Sequence, residues 1–92
     1  IEELDLQLFE ALETYNLSLN AYKVALTALN QAEENYRISQ NRYKERIQST
    51  SDFLDAEYLL TQARSNVVLN RYAILQALAE IERITQTQQV NY

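Results

Sequence analysis

The sequence predicts an all-α fold: a long antiparallel two-helix coiled-coil hairpin, one unit over residues 1–92. Three observations carry that expectation. The chain has no Gly and no Pro, the residues that most readily let a backbone turn sharply. Apolar residues recur every seven positions through both halves, the period of helices that pack along their whole length. A single stretch of small polar residues near the middle interrupts that beat.

The first helix is expected from about residue 2 to residue 46, where Ala, Leu, Glu, Gln and Arg supply strong helix propensity. Its bulky column is Ile1, Leu8, Tyr15, Tyr22, Leu29, Tyr36 and Tyr43, at unbroken intervals of seven. Beside it stand Leu4, Ala11, Ser18, Ala25, Ala32 and Ser39, small after the first member. A third stripe, Leu12, Leu19 and Leu26, resumes at Ile47 after two polar turns. Glu2, Glu3 and Asp5 sit near the helix start, where the macrodipole favours anions.

The second helix is expected from about residue 52 to residue 86. Phe53, Leu60, Val67, Ile74 and Ile81 form its bulky column, and Ala56, Ala63, Asn70, Ala77 and Ile84 its mostly small companion. A seven-residue repeat sustained this long implies left-handed supercoiling, with bulky side chains interlocking against small ones. A further apolar set, Leu54, Val68, Tyr72 and Leu75, lies beside the first. Two helices alone cannot cover so much apolar surface. Self-association, or contact with other parts of a larger protein, is the expected consequence.

The tip is expected at residues 47–51. Ser49-Thr50-Ser51-Asp52 has the spacing of a capping box, with the Ser49 hydroxyl available to the Asp52 backbone N–H. Thr50 or Ser51 would serve as cap equally well on sequence grounds. A connection this short joins antiparallel neighbours. Each arm of ~40 residues would extend roughly 60 Å at the α-helical rise.

The formal net charge is -5, from 13 acidic and 8 basic residues. No basic face emerges, which argues against a nucleic-acid partner. The chain has no His, no Cys and no Gly, so it lacks the usual nucleophile–base pairs and phosphate loops. An enzyme is not expected, nor any cofactor. Asp52, Asp55 and Glu57 are oxygen donors, but their spacing does not bring together the six to eight ligands of a hard-cation site. No run approaches the ~18 apolar residues of a membrane span, and no leader pattern is present. The chain begins at Ile1 rather than Met. We read it as a fragment of a larger protein, with any membrane-embedded part lying elsewhere.

The tip and the second helix resemble the outer-membrane efflux protein family, the TolC-like exit ducts of Gram-negative bacteria. The family's inner hairpin carries Tyr, Gly three residues later, then Ser or Thr, an acidic residue, Leu and Ala. Tyr43, Ser49, Asp52, Leu54 and Ala56 match at that spacing. The match continues through Asp55, Leu60, Ala63, Arg64, Arg71, Tyr72 and Leu75, and the run from Ala32 to Tyr36 fits upstream. The resemblance extends from about Ala21 to Ile84. It departs at Asn70, where a small apolar residue is usual, and at Arg46, which stands in place of the glycine. Arg46 leaves open whether the turn passes through a positive φ.

The resemblance implies that this hairpin is a piece of an α-helical barrel, the second of two hairpins in a homotrimer. Its β-barrel would lie in the outer membrane and this segment in the periplasm. Passive exit would run through the duct. The tip residues Arg46, Ile47, Gln48, Ser49, Thr50 and Ser51 would dock a periplasmic adaptor protein that links the duct to an inner-membrane transporter. Asp52, Asp55 and Tyr43 would line the pore constriction. From the residues alone, the two carboxylates are equally well explained as capping and dipole compensation. Tyr43 reads as heptad packing, and Arg42, Lys44, Glu45 and Arg46 as a solvated charged patch. Two other functions compete. One is the coiled-coil hairpin of a periplasmic adaptor, disfavoured because Arg42 is followed four residues later by Arg46 rather than Leu. The other is a purely structural coiled coil.

Overall fold

The computed structural model describes residues 2–90, so the place of Ile1 in its column lies outside the described residues. Two helices account for almost all of them: α1, Glu2–Lys44, and α2, Thr50–Val90. They run antiparallel in one hairpin measuring 70 × 15 × 14 Å. The width is that of two helices side by side with nothing stacked on either face.

The helix ends differ from the sequence expectation. α1 stops at Lys44 rather than near residue 46, and α2 starts at Thr50 rather than near residue 52. The connection therefore falls at residues 45–49. α2 also runs past residue 86, to Val90. At the tip, both shifts follow from how the orphan backbone groups of the helix termini are satisfied, as described below.

The seam is made by the expected columns. Ala11, Ala25 and Ser39 of α1 are buried, with Leu60, Ala63, Val67, Ala77 and Ile84 of α2. Ile84, at 2% exposed, is the most deeply enclosed. The bulky α1 column is only half-buried: Leu8, Tyr15, Tyr22, Leu29 and Tyr36 are all intermediate. A single neighbouring helix covers the backbone-proximal side of a long ring and leaves its rim in water. Tyr22 shows how that rim is used. Its hydroxyl accepts a hydrogen bond from Arg71 Nη2 at 3.3 Å, and the guanidinium lies 6.0 Å from the ring centroid. In this register, residues whose numbers add to about 93 face one another.

Polar residues within the seam are treated in two ways. Asn70, half-buried among its small neighbours, donates its side-chain amide to the Asn66 carbonyl at 2.6 Å. The polar group is thus satisfied within its own helix. Ser39 is 4% exposed, and its hydroxyl has no partner. Away from the seam, Glu34–Arg37 and Glu80–Arg83 pair three residues apart on exposed surface. The hydrogen bond from each arginine holds its carboxyl below the ordinary glutamate range. Exposed pairs of this kind contribute little stability.

Contrasting substitutions test this picture of the seam. Leu60→Ala should destabilise the hairpin by about 2–3 kcal/mol through lost burial and a residual gap. Ser39→Ala removes an unsatisfied buried hydroxyl, and should leave stability unchanged or raise it by up to about 1 kcal/mol. Urea unfolding at one fixed protein concentration measures both. A large loss from Ser39→Ala would mean that the hydroxyl does have a partner.

Candidate functional site at the hairpin tip

The chain turns without glycine. Arg46 has φ 61°, in the left-handed region. Around it, the Arg46 N–H donates to the Tyr43 carbonyl at 3.0 Å and the Ile47 N–H to the Arg42 carbonyl at 2.8 Å. These are the two bonds of a Schellman motif, which closes the open carbonyls of a helix C-terminus. They require a left-handed residue between Glu45 and Ile47, and Arg46 occupies that place. The turn is therefore of the glycine type with an arginine in it, at a steric cost of roughly 1–2 kcal/mol.

The second helix begins at once. The Asp52 N–H donates to Ser49 Oγ at 3.2 Å, and the Phe53 N–H donates to the Ser49 carbonyl at 3.1 Å. Ser49 is thus the cap, and the choice among Ser49, Thr50 and Ser51 is settled in its favour. Asp52 stands at the third helical position, where its carboxylate faces the positive end of the dipole. Asp55 lies one turn further along. Both are exposed.

Of the tip residues singled out from sequence, Arg46, Ile47, Ser49, Thr50 and Ser51 are exposed. Ile47, expected as the end of an apolar stripe, is 70% exposed. It is the residue just after the left-handed turn, and the reversal carries it off the helix face. Gln48 is half-buried, and its Oε1 is enclosed with no partner. Tyr43 is 40% exposed, less covered than a heptad core position implies. It lies where α1 ends and the seam opens.

What Tyr43 meets is Phe53. The two rings stack with centroids 4.8 Å apart and 14° between their planes. Phe53 also touches Tyr36, at 5.6 Å and 31°. Offset ring pairs of this kind add stabilisation beyond area burial. The cluster joins the first turn of α2 to the last part of α1, and so ties the two arms together beside the tip. Its signal in the sequence was present but easily missed: two tyrosines seven apart, with a phenylalanine in the first turn after the break. The structure therefore gathers Tyr43 with an aromatic cluster, while the Asp52 and Asp55 carboxylates face solvent. Among the described residues no group of three or more acidic side chains is arranged to hold a metal ion.

The turn can be tested directly. Arg46→Gly should raise stability by about 1 kcal/mol by relieving the left-handed strain, which for a chain this size moves the melting midpoint by about 4–8 °C. Arg46→Val should lower it, because a β-branched residue fits that region poorly. Ser49→Ala should cost about 1 kcal/mol by removing the cap. Thermal unfolding followed by circular dichroism ranks all three.

Compared with protein-family models, with curated proteins and with solved structures, the chain matches none.

Proposed function

We propose that this chain is the second periplasmic hairpin of a TolC-like outer-membrane duct. The duct would be a homotrimeric passive exit channel whose tip docks a periplasmic adaptor that connects it to an inner-membrane transporter. The observation that carries the reading is the turn. At the position where that family has glycine, the backbone is left-handed, and the Ser49 cap and Asp52 follow at the family's spacing. Two further features support it. The hairpin is long, thin and apolar on more than one side, as a stave of a larger wall must be. No helix among the described residues is long and apolar enough to cross a membrane, so in this reading membrane contact belongs to parts outside the chain.

In this proposal, Asp52 and Asp55 lie near the narrow end of the duct, with Tyr43 behind them. Threefold symmetry would bring six carboxylates around one axis, favouring cations and repelling anions. Their exposure leaves them available for that role. The chain acts as scaffold and gate rather than as an enzyme.

Two experiments test the reading. The full-length gene should restore drug or detergent resistance to a duct-deficient strain; failure despite correct outer-membrane expression would remove the proposal. In planar bilayers, the Asp52→Asn/Asp55→Asn double variant should lose most of the block by multivalent cations. Unchanged conductance and block would exclude both residues from the constriction.

A further inference from the structure

Each helix carries a second heptad seam, outside the one that joins the hairpin. On α2 it comprises Leu54, Tyr58, Val68, Tyr72 and Leu75, all more than half exposed. On α1 it comprises Leu17, Ala21, Val24, Ala28 and Ile38, all exposed. Both follow the alternating spacing of four and three that makes one helix pack along another, with polar residues at two consecutive positions of each: Thr61 and Ser65 on α2, Gln31 and Asn35 on α1.

We propose that these two seams are the halves of one interface. The α2 seam of each copy packs on the α1 seam of a second copy, lying alongside it and pointing the same way. Three observations support the pairing. The first is height. In the register that places Tyr22 opposite Arg71, residues 54–79 of α2 stand level with about residues 14–39 of α1. Both outer seams fall in that window, so a sideways step with no sliding brings them together. The second is shape. The α2 seam is bulky, with two tyrosines, while the α1 seam is lowered by Ala21 and Ala28, which lets side chains from one helix enter the gaps of the other. The polar gaps overlap in height at Thr61 of α2 and Gln31 of α1, while Ser65 stands level with Ala28 and Asn35 with Tyr58.

The third observation is area. The chain exposes 7150 Å², whereas a compact monomer of this mass would expose about 5,500 Å². The excess of about 1,600 Å² is roughly twice the share one partner contributes to a standard interface. An uncovered hairpin 70 Å long has that surplus by its shape, and it is enough for two contacts of standard size. Because the patches differ, the contact is heterologous, and it propagates into a ring or an open row rather than stopping at a twofold dimer.

Sedimentation equilibrium of the 92-residue chain tests it, at concentrations up to about 100 μM, well above a micromolar Kd. The wild-type chain should have an average mass of two copies or more, rising with concentration. Val68→Glu/Leu75→Glu spoils the α2 seam, and Val24→Glu/Ala28→Glu the α1 seam. Each variant alone should be monomeric, with its helical circular dichroism retained because the altered residues are exposed. An equimolar mixture of the two should regain a mass of two copies, since each supplies the seam the other lacks. Three results would overturn the proposal: a monomeric wild-type chain, continued association of the α1 variant by itself, or a mixture that stays monomeric.

Discussion

The structure depends on how closely the two backbones approach along the small column of α1. Ala11, Ala25 and Ser39 are buried because their side chains are short enough to let α2 come near. That approach lets Leu60 and Val67 fill the space between the helices. It also displaces the tyrosine column to one side of the seam, where the rings are half-covered and Tyr22 meets Arg71 across it. Larger residues in the small column would separate the helices and leave voids around the α2 column. Smaller residues in the tyrosine column would remove the Tyr22–Arg71 and Tyr36–Phe53 contacts across the seam.

The same geometry explains why so much apolar surface stays uncovered. A helix in a two-helix hairpin can bury a stripe of roughly a third of its circumference against its one neighbour. α1 and α2 each carry apolar residues over a wider arc. Val24 is 69% exposed and Val68 is 62% exposed, and neither can be reached by the partner helix without giving up the first seam. The fold solves one packing problem and leaves a second, of similar length, on its outer sides.

Much of this was legible in the sequence, because its causes are local or strictly periodic. Seven-residue columns identify the inner seam, and a serine three residues before an aspartate identifies the cap. The unbroken helical arms follow from the absence of Gly and Pro. Three features were harder to read. No residue type announces a left-handed arginine, since the tip geometry follows from Schellman bonding that glycine alone would have signalled. The exposure of Tyr43 and Ile47 follows from where α1 stops, a matter of two residues at a helix end. Periodicity also identifies apolar faces without saying which one the partner helix takes. Leu54, Val68, Tyr72 and Leu75 form an apolar stripe beside those columns, broken at Thr61, yet all are exposed.

The two tip carboxylates, often paired by their spacing, are physically unequal. Asp52 sits at the third position of α2, its own N–H held by the cap serine, so its charge already has a local use against the helix dipole. Asp55 begins the second turn, where the dipole contribution has largely faded. An exposed carboxylate there contributes little to capping. Neutralising Asp52 therefore disturbs the start of α2 as well as any field at the tip, whereas neutralising Asp55 changes the field with little effect on the helix. Of the two, Asp55 is therefore the one whose neutralisation changes charge at the tip without disturbing the start of α2.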